Sequence, residues 1–159
     1  MKSWRRRSLA ILLILGACAS VPPSTPPSPP SRPSTVSDAT AGHAATRAMS
    51  MVGKPYRYAG NTPAGFDCSG LVQYSYRQVG VKVPRDTQLL KRRGKVVSAD
   101  DMRRGDLLFF DQEGEQPSHV GIYLGYKRFV HAPSEGGRVR TDSLDAAYWK
   151  KHFVEARRL

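Results

Sequence analysis

Asp67-Cys68-Ser69-Gly70-Leu71-Val72 marks the point where an extended segment turns into a helix. Asp67 is a good N-cap, and Leu71, Val72, Tyr76 and Val79 recur at helical spacing until Gly80 stops the pattern. A helix over Cys68–Val79 is expected, with a lone thiol as its first residue. Unpaired backbone N–H groups and the positive end of the helix dipole meet there, and both favour thiolate over thiol. Two readings fit such a cysteine on its own: a buried small hydrophobe, or a nucleophile that hands its proton to a nearby imidazole oriented by a second polar group.

Two histidines lie downstream in β-like runs. If Gly125-Tyr126-Lys127 forms a three-residue hairpin loop, antiparallel partners sum to 252, so Gly121 faces His131 and His119 faces Pro133. His119, Gly121 and His131 then share one face, with the imidazoles as diagonal neighbours roughly 7 Å apart at Cβ. Val120, Ile122, Leu124, Val130 and Ala132 take the core face. A two-residue loop pairing His119 with Ala132 would send His131 to the opposite face, so the dyad depends on this register. Cys68, His119, His131 and His152 are zinc-ligand types, but the chain has no C-x-x-C or H-x-x-x-H spacing, and no metal is expected. His43 and His152 read as surface residues on helices. Arg104-Gly105-Asp106 reads as a tight turn into the strand Leu107–Asp111 rather than an adhesion tripeptide.

The remaining elements follow from the same patterns: a helix over His43–Val52, loop and extended chain over Gly53–Gly60, and a short helix near Gln88–Arg92. A capped turn at Ser98–Asp101 comes next. Strands at His119–Leu124, Phe129–Ala132 and Arg138–Thr141, a helix near Leu144–Lys151 and a strand at Val154–Arg157 complete the order. Helices followed by a mostly antiparallel sheet make an α+β domain over residues 43–159.

Upstream, Met1-Lys2-Ser3-Trp4-Arg5-Arg6-Arg7 precedes the apolar run Leu9–Leu15 and then Gly16-Ala17-Cys18. A basic start, a short apolar core and small residues read as a secretory signal over residues 1–17. The run is well short of the roughly 20 residues of a membrane span. Leu15-Gly16-Ala17-Cys18 is similar to the bacterial lipoprotein signal, which implies a lipidated Cys18. Ala19 resembles the residue that directs such proteins to the outer membrane, facing the periplasm. Residues 18–42 read as a lipidated cysteine and a Pro/Ser-rich tether, extended at roughly 3.1 Å per residue and reaching up to about 75 Å. An acylated Cys18 leaves Cys68 without a disulfide partner in an oxidising compartment. The net charge of +12 falls to +8 without the four basic residues of the signal. A basic surface suits anionic partners, but export and the lack of an aromatic-interleaved basic motif argue against nucleic acid.

Tyr56, Phe66 to Val72, Val83-Pro84-Arg85, Gly105 to Phe110, His119 to Tyr123 and Phe129 to Ala132 together resemble the NlpC-type cysteine peptidases, papain-like enzymes that cut peptidoglycan stem peptides. The ending, Tyr148 to Lys151 and Glu155 to Arg158, is similar to that of murein endopeptidase lipoproteins of the Spr/MepS type. The resemblance covers essentially the whole domain. It implies a papain-like α+β fold, with Cys68 as nucleophile, His119 as base and His131 as its orienting partner. Tyr56 matches the tyrosine whose hydroxyl helps hold the oxyanion, which leaves Tyr58 as a packed aromatic. Ala59 departs from the family's Tyr-x-x-Gly-Gly run. No cofactor is implied, the chain is expected to be monomeric, and membrane contact is through Cys18. The implied substrate is the D-alanyl–diaminopimelate cross-link of peptidoglycan stem peptides. Alternatives are the D-glutamyl–diaminopimelate bond and a non-catalytic cell-wall-binding lipoprotein.

Overall fold

The computed structural model describes residues 36–112, 114, 117–134 and 137–159. The signal at residues 1–17, the lipidation site Cys18 and most of the tether lie outside the described residues. The elements run α1 (Asp38–Met49), β1 (Asn61–Thr62), β2 (Gly65–Phe66), α2 (Cys68–Arg77), α3 (Thr87–Arg93) and β3 (Lys95–Val97). After a single 3-10 turn at Ala99–Asp101 come β4 (Leu107–Phe110), β5 (His119–Gly125), β6 (Arg128–His131), β7 (Arg140–Ser143), α4 (Ala147–His152) and β8 (Phe153–Arg158). Strands β3 to β8 form one antiparallel sheet ordered β3-β8-β4-β5-β6-β7, and β1 and β2 pair separately. The fold is α+β, as expected.

Two apolar layers hold the sheet. On one face Leu107, Phe109, Val120, Ile122 and Val130 pack with Leu71, Val72 and Tyr76 of α2 and the alanine face of α1. On the other, Leu108, Phe110, Tyr123, Phe129 and Ala156 pack with Trp149 of α4. Each large side chain buried this way contributes about 1.5–3 kcal/mol relative to exposure. The helix expected over His43–Val52 starts earlier, at Asp38, because the Ser37 side chain accepts from the Thr40 amide and caps it there. Residues 38–42, read as the end of the tether, are therefore helical. The alanine face of α1 comes so close to the turn before β4 that a Cβ on Gly105 would lie 2.5 Å from the Ala41 carbonyl. Gly105 also sits at φ +102, so no other residue fits this turn without strain.

The β5–β6 hairpin reaches the expected register by a different route. Ile122 pairs with Val130 and Tyr123 with Phe129, both sums of 252, but Gly125 pairs with Arg128. The loop is therefore two residues, Tyr126 and Lys127, both at positive φ (51° and 56°), the conformation of a type I′ turn. Leu124 is the extra residue of a β-bulge, and the bulge restores the register that a plain two-residue loop would have shifted by one. The two histidines stay on one face for that reason. The sequence reading missed β3 and the β1–β2 pair.

Candidate active site

Cys68 is the first residue of α2, and three contacts fix that end of the helix. The Asp67 side chain accepts from the Gly70 amide at 2.7 Å, the N-cap bond expected from the sequence. Arg85 then clamps the turn: its guanidinium donates to Asp67 Oδ2 at 2.5 Å, to Ser69 Oγ at 2.6 Å and to the Gly60 carbonyl at 3.3 Å. A Cβ on Gly70 would sit 1.9 Å from the Gly60 carbonyl oxygen, so the Cys-Ser-Gly order lets the helix press against the loop before it. As a first-turn residue Cys68 has an amide with no intrahelical acceptor.

Three donors approach the sulfur: the Val120 amide, the Ser69 amide and the Thr87 hydroxyl. Cys68 is half-buried, and burial raises its proton affinity above the usual thiol value. The Asp67 charge adds to that rise, while the three donors oppose it without cancelling it. The helix terminus therefore does not produce a resting thiolate, contrary to the expectation from the dipole alone. Cys68 rests as a neutral thiol because burial and the Asp67 charge together outweigh the three donors at the sulfur.

The Val120 contact puts the sulfur beside β5, whose first residue is His119. His119 Nε2 meets His131 Nδ1 at 2.8 Å, and His131 Nε2 meets Asp142 Oδ2 at 3.0 Å. The same carboxylate oxygen accepts from the Trp149 indole at 2.9 Å and the Arg140 Nε at 3.1 Å. Burial alone would raise the Asp142 proton affinity, but the Trp149, His131 and Arg140 interactions prevail and hold it below the usual carboxylate range. An ionised carboxylate only accepts, so His131 donates from Nε2 and accepts at Nδ1. His119 must then donate from Nε2, which leaves its Nδ1 lone pair as the free base. Asp142 thus sets both tautomers.

Burial pushes the proton affinity of both histidines well below that of a free imidazole. For His119 the neighbouring His131 and Arg140 add to the drop, and Asp142 opposes it; for His131 the Asp142 contact opposes the drop and Arg140 adds to it. Both rings rest neutral. Trp149 stacks on His119 (centroids 5.6 Å apart, planes at 27°) and meets His131 edge-on at 4.8 Å, walling the dyad from solvent.

His119 and His131 are buried and in contact, and Cys68 lies beside the strand that carries His119. Tyr56 is half-buried, packs against the same core cluster as Cys68, and its amide donates to the Gly137 carbonyl. Tyr58 is 80% exposed, which corrects its reading as a packed aromatic: its loop turns outward at Ala59, whose φ is +57. His43 is exposed on α1. His152 ends α4, half-buried, with its ring nitrogen donating to the Asp111 carbonyl. Asp142 and Arg85 went unrecognised as parts of the site. The strand expected at Arg138–Thr141 stops one residue short of Asp142, whereas β7 runs two residues further on and pairs Asp142 with Phe129, diagonal to His131.

The chain is similar to known proteins in both sequence and structure. Residues 53–158 match the family model of the NlpC/P60 family. The chain is 45% identical over 108 residues to Murein DD-endopeptidase MepS/Murein LD-carboxypeptidase of Escherichia coli K12, covering 67% of this chain and 56% of that one. It is 38% identical over 121 residues to Murein DD-endopeptidase MepH of the same organism, covering 73% and 45%. Among solved structures, an NLP/P60-family protein similar to lipoprotein from Staphylococcus aureus Mu50 superposes with a TM-score of 0.69 at 35% identity, over 79% of this chain and 43% of that one. The chain spans about half the length of these curated relatives.

Proposed function

The chain belongs to the NlpC/P60 family, and from that premise we propose that it is a cysteine-type murein endopeptidase acting on the D-alanyl–diaminopimelate cross-link. The observation that carries this reading is the row His119–His131–Asp142, with ring and carboxylate contacts of 2.8 and 3.0 Å, beside the strand-facing thiol of Cys68. A histidine kept only for packing needs no partner that fixes its tautomer. The relatives MepS and MepH are named as murein DD-endopeptidases, which supports this bond.

The neutral resting pair defines the steps. As the Cys68 sulfur attacks the amide carbonyl, its proton passes to His119 Nδ1. The imidazolium that forms is held through His131 by the charge of Asp142. The Cys68 amide and the Tyr56 hydroxyl hold the oxyanion, typically about 3 kcal/mol per donor. His119 then gives its proton to the departing amine, and water activated by the same nitrogen releases the acyl group from sulfur. A cleft of about 460 Å³ lined by Tyr58, Ala59, Asp67, Ser69, Arg85 and Thr87 flanks Cys68 on the helix side and takes the acyl half of the stem peptide.

The protein and its Cys68→Ala variant, incubated with cross-linked and uncross-linked muropeptides and read by mass spectrometry, test this. Loss of cross-linked dimers with the wild type alone is the expected result. Equal product from both variants removes Cys68 as nucleophile, and cleavage within uncross-linked stems selects the D-glutamyl–diaminopimelate bond instead. We propose as well that an acylated Cys18 anchors the enzyme to the outer membrane, facing the periplasm, on the strength of Leu15-Gly16-Ala17-Cys18. A mature N-terminal peptide carrying an unmodified Cys18 would refute the anchor.

A further inference from the structure

A second cleft, of about 420 Å³, opens on the histidine side of the site, lined among others by Gln112, Arg140, Asp142, Tyr148 and Trp149. Two of its walls touch the row already described: Trp149 stacks on His119, and Asp142 receives His131. Arg140 is about half exposed, 54% for its side chain, and uses only Nε, which donates to Asp142 at 3.1 Å. Among the described residues no other side-chain partner of Arg140 is found. A guanidinium has five N–H donors in a flat fork that matches a carboxylate, so four of them face this cleft or solvent. The Asp142 charge is engaged by three donors and does not oppose an incoming anion as a bare carboxylate would.

We infer that this cleft is the leaving-amine subsite and that Arg140 binds the carboxylate borne by the carbon next to the departing nitrogen. The inference rests on hydrolysis through Cys68 and His119. The acyl half of the substrate stays bonded to Cys68, and the amine half receives its proton from His119, so the amine half departs toward Trp149, which stacks on His119 and lines this cleft. The identity of the carboxylate follows from the chemistry of the two candidate bonds. In a D-alanyl–diaminopimelate cross-link the departing amine sits on a carbon whose carboxylate is free. In the D-glutamyl–diaminopimelate bond of a tetrapeptide stem, the carboxyl on that carbon is itself an amide and carries no charge. A cation at this point selects the cross-link over the stem bond.

Two synthetic cross-linked peptides, identical except that this carboxylate is free in one and a primary amide in the other, provide the test. For the wild type, kcat/KM is expected to favour the free acid about tenfold, the worth of one charge-assisted bond over a neutral one. Arg140→Ala lowers both rates through the lost Asp142 contact but levels the ratio near one, and Arg140→Lys restores part of the preference. Calorimetry of both peptides on the Cys68→Ala protein reads the same preference without turnover. Equal wild-type rates on the two peptides, or a preference that survives Arg140→Ala, overturns the subsite. A binding preference without any hydrolysis keeps the subsite and overturns the hydrolytic reading alone.

Discussion

Asp142→Asn isolates the charge at the end of the histidine row from its hydrogen bonds. The asparagine oxygen still accepts from His131 and Trp149, so packing and tautomers persist while the negative charge goes. In the transition state proposed above, that charge faces the imidazolium of His119. The ring centroids of His119 and His131 are 5.0 Å apart, and His131 lies 3.0 Å from the carboxylate oxygen. A separation of about 8 Å at an effective dielectric constant of about 20 gives roughly 2 kcal/mol of attraction. The Asp142 side chain is only 23% exposed, so water screens little of this. Its loss lowers kcat roughly 30-fold at neutral pH.

The same substitution moves the pH profile in a direction that a folding defect does not produce. Asp142 raises the proton affinity of both histidines, against the larger lowering by burial. Removing it lowers His119 further, so the base stays unprotonated to more acid pH. The acid limb of kcat/KM therefore shifts to lower pH while the plateau drops. Initial rates on a cross-linked muropeptide between about pH 4 and 9 measure both quantities. A kcat within twofold of wild type, or an acid limb that moves up in pH, refutes the role assigned to Asp142.

Three further outcomes follow from the same geometry. His119 and His131 titrate lower folded than unfolded, so the unfolded chain binds more protons below about pH 6.5; stability is full above that value and falls as pH drops, by up to 1.4 kcal/mol per unit per histidine, and a Tm independent of pH between about 4.5 and 7 sinks this. Ala59 sits at φ +57 in the loop ahead of Cys68, so Ala59→Gly is expected to raise stability by about 1 kcal/mol in urea titrations, and a lower midpoint contradicts it. Gly70→Ala places a methyl 1.9 Å from the Gly60 carbonyl oxygen, which predicts loss of the cooperative thermal transition; a variant that melts within a few degrees of wild type rules out the close approach.

The helix that carries Cys68 was legible because its cap, apolar spacing and stop are all local. The histidine dyad was legible through parity: residues two apart on a strand share a face, and a core side for Val120, Ile122 and Val130 leaves only the other for His119 and His131. The hairpin loop was misjudged in detail, since Tyr126 and Lys127 at positive φ are not the glycine and asparagine that usually announce a type I′ turn. Its bulge at Leu124 compensates, so register survived an error in loop length. Asp142 was hidden for a different reason. Arg140 to Ser143 has no apolar alternation, with Arg140 exposed and the next three residues half-buried, so its strand is held by pairing with β6 rather than by a core face. Pairing across a sheet edge is nonlocal and leaves little trace in composition.

Two carboxylates serve this site, and each is balanced by an arginine for an opposite purpose. Asp67 is needed as the cap that seats Cys68 at the head of α2, yet its charge raises the proton affinity of the thiol one residue away. Arg85 holds that carboxylate at 2.5 Å and so keeps the cap while offsetting its charge. Asp142 is needed as an anion to supply the countercharge for an imidazolium, while its oxygen, as acceptor, fixes the His131 and His119 tautomers. Arg140 helps keep it ionised, and its positive charge also disfavours protonation of both histidines. The outcome is a neutral thiol beside the strand that carries a neutral base, with the countercharge for an imidazolium already in place. Thiolate is the form that oxidants attack, so a thiol that ionises only as it meets a carbonyl resists oxidation at rest.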